Sequence, residues 1–215
     1  MKHQSRKFID LIQAITSKWA NWDPTKPIHV GDYGMINKKT GEFDCEGNIY
    51  TTKDIVDIDM TDPALRPVET GEDDKFIVTS WGVTTKEFSK TAKVSVPGAE
   101  NVALKVGFQY DGRKRGAGLA MYKSRHISLP NDERIVRLLK SRSQVLKGKH
   151  VVTEVICCAA YAMYMSTNRV ERFFRPRQAT GGLIWSSETN HGIYREGSDS
   201  NTKYMPLYRL NKSGT

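Results

Sequence analysis

Apolar residues recur at Phe8, Leu11, Ile12, Ile15, Trp19 and Trp22, at spacings of three and four, while Lys7, Asp10, Gln13, Thr16 and Lys18 fall largely elsewhere. That spacing predicts an amphipathic helix over Phe8 to Trp19, with Asp23-Pro24 marking the stop. Such a stripe fits a packed core, and with its basic start and two tryptophans it also fits a helix lying among lipid headgroups. Ile28 to Ile36 and Glu42 to Tyr50 then flank Asn37-Lys38-Lys39-Thr40-Gly41, the mark of a β-hairpin. Asp54, Asp57, Asp59, Asp62, Glu69, Glu72, Asp73 and Asp74, with Pro63 and Pro67 among them, predict an acidic loop region.

From Lys75 to Arg125 the pattern changes to strands and turns. Phe76 to Thr84, Glu87 to Val96, a Pro97-Gly98 turn, Asn101 to Tyr110, an Asp111-Gly112 turn and Gly116 to Lys123 follow one another. Val102, Leu104, Val106, Phe108 and Tyr110 alternate with more polar neighbours. One apolar and one polar face suits a sheet on a core, or a barrel wall between lipid and water.

After Pro130, Asn131 or Asp132 is placed to cap a helix with Ile135, Leu138, Leu139 and Leu146 on its apolar stripe and Gly148 at its end. A strand at Val151 to Met165 comes next, and its eleven residues from Val155 onward carry no charge. That run is too short for a helical span of about 20 residues but matches the about 9 to 11 of a tilted membrane strand. Arg169 to Arg177 carries four arginines, Gly181-Gly182 leads into Leu183 to Glu188, and Lys203 to Leu210 gives a last strand whose Pro206 predicts an edge position.

Composition narrows the class. With 38% hydrophobic and 27% charged residues among 215, the chain suits a folded, water-compatible single domain rather than a disordered or multi-span one. The N-terminus lacks a signal-peptide core, because Asp10 and Gln13 interrupt Phe8 to Ile15, and a cytoplasmic location is expected. Cys45, Cys157 and Cys158 make too few and too odd a set for a disulfide framework, so reduced thiols and strand packing are expected. Charge is lopsided: residues 1 to 74 hold 9 Lys/Arg against 14 Asp/Glu, and residues 75 to 215 hold 24 against 10. A field of that kind points to a polyanionic partner, an anionic lipid surface or nucleic acid.

Local catalytic motifs are missing. The five histidines are scattered without i+3 or i+4 pairing, and Gly112 to Gly118 lacks the Lys-Ser/Thr ending of a phosphate-binding loop. Glu154 reads as a charged residue at a strand end near Lys149. Phe173-Phe174 between Arg172 and Arg175 is the one close approach to an aromatic and basic nucleic-acid surface. No enzyme, cofactor or metal is expected.

The run Leu129-Pro130, Ile135-Val136-Arg137-Leu138-Leu139-Lys140-Ser141-Arg142 and Lys149-His150-Val151-Val152-Thr153-Glu154-Val155 resembles the pore-forming domain of gasdermins. In that family a helix after the first insertion hairpin precedes a Val-Val-Thr-Glu-Val type strand that starts the second. The order of elements is similar along nearly the whole chain, although only Lys149 to Val155 matches closely as residues. The resemblance implies one α+β domain over 1–215, a twisted, mostly antiparallel sheet with flanking helices, able to rearrange into a transmembrane β-barrel oligomer. It implies binding to anionic membrane lipids and to further copies of itself, control by an activating protease or inhibitory segment, and a move from cytoplasm to cell membrane in cell death or defence. The insertion arms would lie within Phe76 to Lys123 and Val151 to Glu188, with Val102, Leu104, Val106, Phe108, Val155, Ile156, Tyr161 and Met163 among the inserting positions. Arg6, Lys7 and Trp19 match the family's lipid-contacting first helix by position. Arg113, Lys114 and Arg115, at an expected hairpin tip, and Arg134, Arg137 and Arg142 on the later helix are lipid candidates by charge and placement. Two features depart from the family: the chain stops just after the last expected strand, so the expectation is an inhibitory C-terminal region absent or very short, as in an activated fragment or a form controlled some other way, and no cysteine precedes Cys45 to carry a lipid. The competing reading is a basic nucleic-acid-binding α+β module.

Overall fold

Two ladders that share one pair of chain segments organise the molecule. The computed structural model describes residues 3–52, 62–96, 99–110, 115–140, 145–166, 173–174, 184–189, 192–198 and 203–213, the side chains of 86–96, 99–103, 105, 173–174 and 184–189 excepted. Strand β4 (Val68–Thr79) pairs antiparallel with β7 (Ala117–Ser128), and β5 (Val83–Val96) pairs with β6 (Ala99–Tyr110). The two strand pairs meet at a corner, where Ser80-Trp81-Gly82 joins β4 to β5, β6 ends at Tyr110 and β7 begins at Ala117.

β7 is the centre of the larger sheet. On its other flank lie β8 (His150–Cys158) and β9 (Ala160–Ser166), which are followed outward by β13 (Tyr204–Lys212) and β12 (Gly192–Ser198). β1 (Trp19–Ala20) closes the β13 side, β11 (Ile184–Thr189) the β12 side, and the hairpin β2 (Asp32–Ile36) and β3 (Phe43–Asn48) joins β8 at Tyr33 and Gly34. A second, three-stranded sheet runs β10 (Phe173–Phe174), β6, β5. The sheets are open: among the described residues, β4 and β11 each have a single partner in the ladder.

Three layers result. Helix α1 (Gln4–Thr16) lays Phe8, Ile9 and Ile12 on Leu119, Met121, Tyr161, Met163 and Met165 of the large sheet. Leu104, Val106, Phe108 and Tyr110 of β6 cover the opposite face, on Ala120, Tyr122, Ala160, Ala162 and Tyr164. Gly118 permits the close crossing of β6 over β7, because a Cβ there would collide with the Phe108 ring. Covering both faces explains the uncharged run: every residue from Val155 to Met165 is buried except half-buried Ala159. A strand buried on two sides reads as continuously apolar whether its surroundings are protein or lipid. Ala159 also inverts the alternation, so Ile156 and Cys158 share the α1 cluster with Tyr161, Met163 and Met165. Opposite it, Lys123 takes a positive φ of 50°, which lets β7 flip in step.

Several expectations hold. The early hairpin, the β5–β6 pairing and the apolar face of β6 form, with shorter β2 and β3 than read and the Pro97-Gly98 turn outside the described residues, and Asp132 caps α2 (Glu133–Lys140) through a 2.8 Å bond from Arg134 N–H to its Oδ1. Others change. The expected strand Phe76 to Thr84 is instead broken by the turn at Ser80-Trp81-Gly82, and residues 145–148, read as the end of the helix, form a turn. α1 ends at Thr16, where Ser17 turns left-handed, so Trp19 belongs to β1 and Ile15 faces solvent at 41% exposure. Glu69, Glu72, Asp73 and Asp74 lie in β4 and not in a loop, because Arg125 of β7 bridges Glu69 and Glu72 and the outer face is left to water. β13 is no edge strand: it lies between β8 and β1, and its register shift between Tyr204 and Leu207 accommodates Pro206, which has no N–H to give. β6 pairs with β5 and β10 and β7 with β4, β8 and β9, so the two are not paired with each other, and Arg113 and Lys114 of the expected tip lie outside the described residues. No helix among the described residues is long and apolar enough to cross a membrane.

Candidate functional site

The residues expected to meet lipid fall at three places. The first is α1 and the turn after it. Arg6 and Lys7 sit half-buried in the first turn, the helix end where the macrodipole disfavours cations, and Asp10 offsets Arg6 with a 2.8 Å contact. Trp19 is half-buried, packed between the α1 cluster and a second cluster built on Val152, Val155 and Tyr208. Arg195 of β12 stacks 4.2 Å above Trp22 and donates to its carbonyl at 2.7 Å, pinning the same segment.

Beside Trp19 a polar cluster ties the segment to the sheet. Lys18 Nζ donates to both carboxylate oxygens of Glu154 at 2.6 Å, His126 Nδ1 lies 3.1 Å from Oε1, and Arg209 Nε lies 3.3 Å from Oε2. Lys18 and Glu154 side chains are only 11% and 16% exposed. Burial by itself would raise the Glu154 carboxyl; the hydrogen bonds from Lys18 and His126 and the charges of Lys18 and Arg209 outweigh it and hold the group below its ordinary value. The sequence expectation for Glu154 is therefore corrected: its partner is Lys18, 136 positions away, while Lys149 bridges Glu46 at 2.7 Å. A contact of that sequence separation leaves no local signal.

The second place is α2. Arg134 is engaged structurally, reaching Asp62 Oδ2 at 2.7 Å and Asp132 Oδ2 at 2.9 Å, which holds the helix start to the segment before β4. Arg137 and Lys140 are exposed. Arg142 lies outside the described residues.

The third is the corner between the sheets. Arg115 is exposed there, and Arg113 and Lys114 lie outside the described residues. Ser80 Oγ accepts from Ala117 N–H at 2.8 Å and Ser80 N–H donates to Ala117 O at 2.8 Å, locking the corner. Trp81, absent from the sequence expectations, projects from it at 82% exposure. The Gly after it was the available signal for a turn; nothing in the pattern said that the indole would face water.

The inserting candidates whose side chains are described are interior. Leu104, Val106 and Phe108 pack on the large sheet, and Val155, Ile156, Tyr161 and Met163 are at most 2% exposed, while the Val102 side chain is outside the description. The β6 face is thus no open platform for stacking nucleobases, and the side chains of Phe173 and Phe174 are not among those described. Among the described residues no group of His, Cys, Asp and Glu is arranged to hold a metal ion. Comparison with protein-family models, characterised proteins and solved structures finds no match.

Proposed function

We propose that the chain is a gasdermin-like pore-forming protein, which binds acidic lipids, oligomerises and inserts strand arms as a β-barrel that permeabilises a membrane in cell death or defence. The observation that carries the reading is the pair of antiparallel ladders β4–β7 and β5–β6, which meet at a corner. β5 and β6 have 14 and 12 residues, enough for the about 9 to 11 that a tilted membrane strand needs, and Leu104, Val106, Phe108 and Tyr110 share one apolar face of β6. An arm of this kind reaches lipid by opening the corner and swinging β5–β6 off the large sheet. Its apolar face then exchanges protein contacts for lipid contacts.

Backbone satisfaction ties that movement to assembly. A two-stranded arm has unpaired edges, which hydrocarbon penalises by several kcal/mol per group, so only arms from many copies closing a barrel are stable there. The second arm, β8 and β9, starts under α1, and the Lys18–Glu154 bond must break before it can leave. Release of a trapped dye tests the proposal. Leakage is expected from anionic vesicles, strongest at low salt, and reduced when Arg113, Lys114 and Arg115 are replaced by Glu. Silence on anionic, neutral and native-lipid vesicles overturns it.

A further inference from the structure

We infer that the corner presenting Trp81 and Arg115 is a foothold for the headgroup layer of an anionic bilayer, engaged by the folded protein before any strand inserts. The inference rests on the membrane-binding part of the reading above and adds a contact residue that the sequence did not single out.

The turn is built to hold an indole out. Val83 N–H donates to Ser80 O at 3.1 Å and Gly82 has φ of 77°, which makes Ser80 to Val83 a type II turn with Trp81 at its second position. Both ends are fixed: Ser80 is 3% exposed and doubly bonded to Ala117, and Val83 is 6% exposed in the β6 core. Trp81 therefore stands on a rigid base at 82% exposure, whereas no other large apolar side chain among the described residues exceeds 46%. An exposed Trp on a floppy loop would be unremarkable; one on a locked turn is presented.

The surroundings select the occupant. Thr79, Gly82, Thr84, Gln109, Gly116 and Ser166 flank the corner, and none of the described residues there is acidic. Arg115 is exposed two residues before the Ala117 that bonds Ser80, so a cation accompanies the indole. A protein partner would want an apolar patch of hundreds of Å² around the aromatic anchor, since standard interfaces bury about 800 Å² per partner. Among the described residues Trp81 is the large apolar side chain exposed at this corner and its neighbours there are small or polar, so they offer no such patch. The headgroup layer asks for no shape match: it accepts the amphipathic ring, and its negative potential attracts the cation.

Co-sedimentation of the full chain with phosphatidylcholine vesicles, with and without phosphatidylserine, tests this at low salt. Trp81→Ser is expected to weaken binding to the phosphatidylserine vesicles at least about tenfold, Trp81→Phe to retain most of it, and Arg115→Gln to weaken it about fivefold, the equivalent of about 1 kcal/mol. Brominated lipid should quench the indole signal of the parent more than that of Trp81→Phe. Because Trp81 is 82% exposed and Arg115 is exposed, the melting temperature of each variant should match the parent closely. Unchanged vesicle binding by Trp81→Ser overturns the inference, and so does Trp81-dependent self-association without vesicles, which would make a second copy the occupant. Dye release separates the two proposals: Trp81-dependent binding without release sinks the pore and keeps the foothold, and release by a Trp81→Ser variant that binds normally does the reverse.

Discussion

The two strand arms differ in how they are held. On the first arm, β6 presents Leu104, Val106, Phe108 and Tyr110 to one neighbour, the large sheet. On the second, β8 and β9 are interior strands with partners on both edges and layers on both faces, and Glu154 adds a partly buried ionic tie to the α1 segment. An element packed on one side opens at lower free energy than one packed on two. Under the proposed pore reading that difference sets an order, in which the first arm would leave the sheet before the second, itself held until α1 lifts.

The largest test of that contrast is by truncation. Met163→Ala, under α1 in the two-faced strand, should cost about 3–5 kcal/mol in urea unfolding, and Leu104→Ala on the first arm about 2 kcal/mol. Equal losses would erase the asymmetry. Glu154→Gln should cost less, about 1–2 kcal/mol, because solvent reaches the pair and screens it. Here the pH dependence is specific. The Glu154 carboxyl is held below its ordinary value of 4.5, so its contribution is complete above that pH and drains away as pH falls through the lowered folded value. The parent should lose stability over that acid range more steeply than Glu154→Gln, and parallel curves would mean that the ionic tie holds nothing. The smallest effect, a difference in rates without any change of sequence, is in hydrogen exchange. Amides of Val83 to Tyr110 should exchange before those of Val155 to Met165, and the reverse order would mean that the second arm moves first.

Periodicity carried the parts of the fold that are local. The stripe through Phe8 and Ile12, the alternation from Leu104 to Tyr110 and the cap at Asp132 each depend on residues a few positions apart, and each appears where the pattern places it. The acidic stretch at Glu69 to Asp74 misled, because a strand edge can be as hydrophilic as a loop when its partner strand supplies Arg125. The edge expected at Pro206 misled for a related reason: a register shift serves a missing N–H as well as open water does.

The candidate site was legible by charge and not by use. Arg134 and Arg137 are alike in sequence, yet Asp62 and Asp132 occupy one and leave the other exposed. By itself the sequence determined that a helix, a hairpin, amphipathic strands and one charge-free strand exist, because periodicity and composition are properties of neighbouring residues. Only the tertiary structure decided that the charge-free strand is covered on both faces, that Lys18 closes on Glu154, and that Trp81 stands in water, because burial and pairing depend on residues brought together from distant parts of the chain.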